Sequence, residues 1–481
     1  MGLSSVHPIL PQTPVVRVAV SRWSTLASSC QPGAPYGVRV PLSSSAAAVA
    51  ALAQAAVGDG DALAPVGDGT TALDSRVHAE DLALGAVTFC ATAASRFLGR
   101  ELSVDPGRVG ASYRSPSYVA LDGVGFEGFD PLSGFFQASD GWVRTHANYP
   151  WHRKRLIRLL GLGGAPSRED VAAAVLERTA HEIESAANAA GAIAVQVRTA
   201  QEFAAVPGMA AAPLLSYRPG PPAARDTDRA VRVLDLTRVI AGPVATKTLA
   251  AMGLDVLRLD PSQLAEIEMQ HLDSAAGKHS TVVDLRLNAK LVRHLVDQAD
   301  VVVTGYRPGS LATFGLGANE LLERRPELVV AVIQAWPGAS AWSHRRGFDS
   351  IVQAASGIAD LERRPDGTPG ALRAQALDHS AGYLLAGAVL HALAAGQGAR
   401  LGVSLTGPAM ALLGLGPAEP SPEPLLPQSD TAHLETVDCG GHRLTRVRSM
   451  WELDGVDAHA ELLGTSMPMF RKVAQAAGSN T

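Results

Sequence analysis

The chain predicts an α/β fold: a parallel sheet with helices on both faces, plus a smaller α+β domain placed N-terminal to it. Three observations carry this. Between two proline-rich breaks, short runs of Val, Leu and Ile alternate with amphipathic stretches, the pattern of βαβ units. Those runs are apolar at consecutive rather than alternate residues, so both faces of each strand are covered. Before the first break the order changes to helical stretches around one hairpin signal.

In the sheet region, residues 231–236 read as a buried strand. Pro243 opens a helix that runs to Met252, and Gly253 stops it. Further strands fall at 255–259, 281–285, 301–304 and 328–334, with helices at 288–298 and 320–325. In front, 46–56 and 78–98 read as helices. The run Gly123-Val124-Gly125-Phe126-Glu127-Gly128-Phe129 reads as a glycine-rich loop rather than a strand. A hairpin is expected over 135–143 around Ser139-Asp140-Gly141, followed by helices at 153–160 and 168–190. The expected organisation is therefore a helical region over 1–100 and a small α+β domain over 101–217. A linker over 218–229, a Rossmann-like sheet domain over 230–415, and a proline-rich linker with C-terminal segment over 416–481 follow.

Composition narrows the function. With 481 residues and 47% hydrophobic side chains the chain must bury more than one core. Its Lys+Arg total of 41 against 46 Asp+Glu leaves a net charge of −5, which provides no field to attract nucleic acid or an anionic membrane. Cys30, Cys90 and Cys439 are too scattered for a disulfide framework, so a cytoplasmic, reducing compartment is expected. The first residues lack a basic stretch, and Val6 breaks the myristoylation pattern, so no export signal or lipid anchor is expected. The apolar stretches 46–57 and 382–396 fall short of the ~20 residues of a membrane span.

Several chemistries lack their motifs. The turn Leu236-Thr237-Arg238-Val239-Ile240-Ala241-Gly242-Pro243 has no Gly-x-Gly-x-x-Gly, and Gly277-Lys278-His279-Ser280 lacks the upstream glycine of a phosphate loop. The 14 histidines form no His-Glu-x-x-His, so no metal site is expected, and no Gly-x-Ser-x-Gly elbow occurs. One carboxylate remains conspicuous. Asp378 stands just before the apolar run 383–394, where Asp is a favoured N-cap. A capping carboxylate is held ionised, below the ordinary ~3.9, and the same group is able to serve as a covalent nucleophile. Neighbours on a helix do not face one another, so His379 should point elsewhere.

Residues 233–243 resemble the opening strand–turn–helix of class III CoA-transferases, the formyl-CoA and carnitine-CoA transferase group. Gly277-Lys278-His279-Ser280 with Val283-Asp284-Leu285 resembles the family's second landmark. Gly305-Tyr306-Arg307-Pro308-Gly309 with Phe314-Gly315-Leu316 resembles the third. Gly347-Phe348-Asp349-Ser350 with Gln353-Ala354-Ala355-Ser356-Gly357 is the fourth, and Leu377-Asp378 with Gly382 falls at the family's nucleophilic aspartate. Residues 123–215 resemble the family's small domain, which in similar proteins follows the large one. Here it comes first, either by permutation or as part of a fused, degenerate copy.

The resemblance implies CoA transfer from an acyl-CoA to a carboxylic acid, with Asp378 as nucleophile and no permanently bound cofactor. It implies CoA contacts from Val239, Ile240, Ala241, Lys278, Arg307 and Arg346, and a lid at Gly123, Gly125 and Gly128. Relatives carry arginine at the positions of Pro261, His279 and Thr313, so part of the expected phosphate binding is altered. Racemases of this fold carry a histidine where this chain has Phe348, which cannot take a proton; racemisation or epimerisation of an α-methylacyl-CoA is therefore the second reading. A non-catalytic CoA-binding homologue is the third. The relatives close their site by interlocking two chains, so a homodimer is the simplest expectation here, although a permuted chain could instead close on itself.

Overall fold

The computed structural model describes residues 42–226, 228–419, 427–456 and 458–471. Cys30, the N-terminal residues, and most of the second proline-rich break lie outside them. A seven-stranded sheet is built from β6 (Ser216–Pro222), β7 (Arg232–Leu236), β8 (Asp255–Asp260), β9 (Lys278–Val282), β10 (Val301–Thr304), β11 (Val329–Gln334) and β12 (Gln397–Ser404). Its order is β6-β12-β11-β10-β7-β8-β9, with every pair parallel except β12 with β6. Helices Ala241–Ala251 and Ala376–Ala394 pack on one face, where they share a core with β7, β10 and β11. Helix Ala289–Gln298 packs its Val292, Leu295 and Val296 on the other. This is the α/β architecture expected, with helices on both sides of a mostly parallel sheet.

Three local expectations shift. The strand expected over 281–285 pairs over Lys278–Val282, three residues earlier, because residues after Val282 turn away through Asp284. The helix expected over 168–190 is two helices, Arg168–Leu176 and Ala180–Ala190. Thr179 restarts the second one through a capping box with Glu182, a Thr-x-x-Glu signal visible in the sequence. Finally, the proline-rich stretch at 218–222, expected as linker, is part of β6. Pro219, Pro221 and Pro222 are tolerated because β6 is an edge strand.

The opposite edge, β9, is covered by the C-terminal segment. Gly464 donates its N–H to Ser280 Oγ at 3.0 Å and Ser466 to Ser280 O at 2.8 Å. Covering an edge in this way leaves no free ladder for another chain to extend.

The region expected as a small domain carries the hairpin β3 (Phe135–Ala138) and β4 (Gly141–Thr145), to which β5 (Ala194–Gln196) adds antiparallel, over a core that includes Leu132, Phe136, Val143 and Ile183. The expected hairpin is thus present, with Ser139-Asp140 as its turn. A third sheet joins β1 (Ala120–Leu121) and β2 (Val124–Gly125) to the C-terminal hairpin β13 (Leu434–Cys439) and β14 (His442–Val447). The glycine-rich run read as a loop therefore contains a two-residue strand.

The front helices Ser44–Val57 and Ala79–Leu98 do not form a core of their own. Ala79–Leu98 lies along Ala376–Ala394, and a Cβ on Gly387 would stand 2.7 Å from Phe89 Cε1 and 3.0 Å from Cys90 Cα. The two helix backbones approach this closely only because Gly387 has no side chain. Ala79–Leu98 is also long and apolar enough to cross a membrane, which the shorter stretches considered above are not. Its apolar length is instead spent on the interior, with Leu82, Val87, Phe89 and Cys90 all buried.

Candidate active site

Asp378 is the third residue of helix Ala376–Ala394, and Gln375 occupies the N-cap position. The expected capping role is therefore corrected. Another carboxylate does the work: Asp349, in the first turn of helix Asp349–Ser356, accepts the Asp378 N–H on Oδ2 at 2.9 Å. Gln353, one turn further, donates to Asp349 Oδ1, and its own Oε1 accepts the Leu372 N–H at 2.9 Å. Two side chains of one helix thus tie down the segment that leads into the other.

The electrostatics are reversed from expectation as well. Asp378 is 6% exposed, and its proton affinity is pushed well above the ordinary carboxylate range, first by burial and then by the charge of Asp349. Asp349 is itself raised to about 6 by burial, opposed by the N–H groups of Asp378 and Leu377 and by Gln353 and Arg144. Burial and the shared charge together hold both carboxyls protonated to higher pH than an isolated aspartate.

The small domain forms the adjoining wall. Arg198 N–H donates to Ala354 O at 3.1 Å, and a Cβ on Gly357 would stand 2.3 Å from Ala200 N. His146, just beyond β4, stacks on Phe348 with ring centroids 3.8 Å apart. Burial lowers His146 to about 3, so its ring is neutral, and its Nδ1 has no hydrogen-bond partner among the described residues. Arg144 is half-buried on the same strand and is lowered to about 10, chiefly by desolvation. It is the nearby cation that attracts Asp349.

The turn Val239-Ile240-Ala241 lies one helical turn from Asp378 along the interface: a Cβ on Gly382 would stand 2.6 Å from Ala241 O. Val239 has φ 71°, a left-handed conformation that is strained for a β-branched residue. Buried Glu266 holds it there, accepting the Val239 N–H at 2.9 Å. Burial raises the proton affinity of Glu266, but Arg258, Arg238, Tyr149 Oη and the Val239 N–H outweigh it and keep the group below the usual carboxylate range. Tyr149 reaches Glu266 from the small domain at 2.6 Å, so one carboxylate joins the turn to the wall.

The remaining expected residues divide. Lys278 points inward, donating to Thr246 Oγ1 at 2.9 Å, Pro243 O at 3.1 Å and Asp235 Oδ2 at 3.4 Å. Burial lowers it to about 8, against the pull of Asp235. It fastens the helix behind the turn and offers no charge to an external phosphate. Arg307 is exposed and Arg346 half-buried beside the small domain. Gly123, Gly125 and Gly128 lie in open space on the segment next to the C-terminal hairpin, where Asp122 bonds His442 and Arg443. At His279, Arg471 brings a guanidinium to the Nε2 atom. His379 does face away from Asp378: it is buried, stacks on Tyr113 at 5.0 Å, and borders a separate cavity with Lys247 and Asp273.

Sequence reasoning gave no role to Asp349, Gln353, Glu266, Arg144 or His146. Asp349 and Gln353 lie at i, i+4 within the stretch Gly347–Gly357, a spacing that puts both on one helix face.

Residues 229–423 match the sequence profile of CoA-transferase family III. That segment is similar to CoA-transferase family III. The chain is 33% identical over 178 residues to the probable fatty acyl-CoA transferase Rv3272 of Mycobacterium tuberculosis, covering 34% of this chain and 45% of that protein. It is 30% identical over 199 residues to the succinate–glutarate CoA-transferase of Agrobacterium fabrum, covering 36% of this chain and 50% of that protein. The chain therefore spans about half the length of these curated relatives. Among solved structures, the crystal structure of the Mycobacterium tuberculosis protein overlays 40% of this chain and 57% of its own at 30% identity, with a TM-score of 0.35. A CAIB/BAIF family protein from Brucella suis gives the same TM-score of 0.35 at 25% identity, over 40% of this chain and 56% of its own. The five landmarks read from the sequence lie within the matched residues 229–423.

Proposed function

We propose that this protein is a CoA-transferase that moves CoA from an acyl-CoA donor to a carboxylic acid, with Asp378 as the nucleophile. The observation that carries the reading is a carboxylate buried at a helix start, one turn from the Val239–Ala241 turn and walled by the small domain. An Asp378 oxygen attacks the thioester carbonyl; the C–S bond breaks, giving a mixed anhydride and CoA thiolate. The thiolate attacks the Asp378 carbonyl and expels the donor carboxylate, leaving an aspartyl-CoA thioester. The acceptor carboxylate attacks that thioester, and the released thiolate then takes the acceptor acyl group, restoring Asp378. Both anhydrides must be kept from water, which suits a site closed by a second domain.

The small domain abuts Asp349 within one chain, so we place closure of the site in cis, with an interlocked homodimer as the alternative that sedimentation decides. Cys90 and Cys439 are free thiols, in keeping with a cytoplasmic location. Incubation with a panel of acyl-CoAs and hydroxylamine, followed by mass spectrometry, should find the modification on Asp378. A panel that modifies no residue, or another residue, overturns the reading.

One observation favours proton transfer at the acyl α-carbon instead. Phe348 cannot act as a base, but His146 sets a neutral imidazole against it. Deuterium exchange at the α-carbon distinguishes the two.

A further inference from the structure

Two imidazoles and a carboxylate converge where the C-terminal segment covers β9. His279 stands on the strand, and His459 and Glu461 come from the covering segment. Between those two, Ala460 turns into the interior, so the side chains that flank it share the side facing His279. The backbone there is tied down independently of these side chains. Gly277 donates its N–H to His459 O at 2.8 Å, and the His271 ring bonds Glu461 O at 2.8 Å. No local motif marks the group, because Glu461 is 182 positions from His279.

Each of the three residues offers one ligand atom, and these atoms lie within 4.8 Å of one another. Glu461 Oε1 is 2.6 Å from His279 Nδ1 and 3.5 Å from His459 Nε2. Zinc takes nitrogen and oxygen ligands at ~2.1 Å, and a tetrahedron of that size spaces them about 3.4 Å apart. One pair already has this spacing, and the other needs only a small opening.

A positive charge already occupies the cluster. The Arg471 guanidinium donates to His279 Nε2, and its Nη2 lies 3.2 Å from both ring nitrogens of His459. Guanidinium has donors only, so His279 Nε2 accepts and the ring proton sits on Nδ1, donated to Glu461. A metal ion on Nδ1 moves that proton to Nε2, where it would meet the Arg471 N–H. Metal and Arg471 therefore exclude one another.

We propose that His279, His459 and Glu461 form a zinc site that fastens the C-terminal segment to β9, with Arg471 as the internal cation that zinc displaces. Water completes the tetrahedron, and two imidazoles with one carboxylate favour zinc over the oxygen-seeking magnesium ion. The site is independent of the CoA-transfer reading.

Titration calorimetry of the full chain with Zn2+, after a chelator has removed any bound metal, tests this. His279→Gln, His459→Gln and Glu461→Gln should each weaken zinc binding about tenfold or more, and Arg471→Ala should strengthen it about tenfold. Zinc should raise the unfolding midpoint of wild type and leave those of the three ligand variants unmoved. His294→Gln, at an exposed histidine of helix Ala289–Gln298, should bind as wild type does. Matched circular dichroism of the metal-free proteins establishes that the variants fold. A wild type that binds no zinc overturns the site, as does wild-type affinity in any one of the three ligand variants or a loss in His294→Gln. Unchanged or weaker binding in Arg471→Ala overturns the displacement.

Discussion

The backbone N–H of Asp378 is bonded to the carboxylate of Asp349, 2.9 Å away on a different helix. One aspartate therefore positions the other and also repels its charge. A like charge held close raises the free energy of ionised Asp378, and under the proposed mechanism this strain would be relieved when the carboxylate becomes an uncharged acyl adduct.

Asp378→Asn should abolish CoA exchange, by at least about a thousandfold, while far-ultraviolet circular dichroism stays as in wild type. The amide is isosteric and cannot open a thioester. Residual turnover within a factor of ten of wild type would remove Asp378 as nucleophile.

The raised affinities of the pair fix a sign for pH. Asp378 attacks only when ionised, so turnover should rise with pH across a range above the ordinary carboxylate value of 3.8. Asp349→Asn removes the neighbouring charge and should move that rise to lower pH. A profile of kcat/KM against pH for both proteins checks it, and an unmoved or upward-shifted profile contradicts the coupling.

Stability follows the same linkage. Both folded-state affinities are raised, so the favourable contribution is complete below the unfolded value of 3.8 and is lost as pH rises through about 6 and beyond. Wild type should thus lose thermal stability relative to Asp378→Asn between pH 4 and pH 8. Parallel melting curves for the two proteins across that window would contradict it.

Incubating a 2-methylacyl-CoA in deuterated water should give no protein-dependent α-exchange if Phe348 marks a transferase. Exchange that disappears in His146→Gln would instead show that the stacked imidazole supplies the base.

Gly387→Ala should destabilise by about 1–3 kcal/mol, because the added methyl meets Phe89 and the backbone of Cys90. Chemical denaturation measures it. A neutral result would mean that helix Ala79–Leu98 does not hold its place against the Asp378 helix.

The sequence by itself determined the parallel strands, because runs such as Val301–Thr304 and Val329–Gln334 are apolar over consecutive residues and that pattern is local. It also located Asp378, Phe348 and the Val239 turn, since each lies inside a short motif of the resemblance. Only the tertiary structure decided what those residues experience. Asp378 changed from an ionised cap to a carboxyl with raised proton affinity because desolvation and the Asp349 charge come from residues 29 positions away and more. Lys278 turned from a phosphate contact into an internal fastener because Asp235, Thr246 and Pro243 enclose it. His146 and Tyr149 acquired their places on Phe348 and Glu266 only when the region carrying β3–β5 packed against the sheet. Burial, like-charge repulsion and the meeting of domains are sums over distant residues, and a linear motif carries none of them.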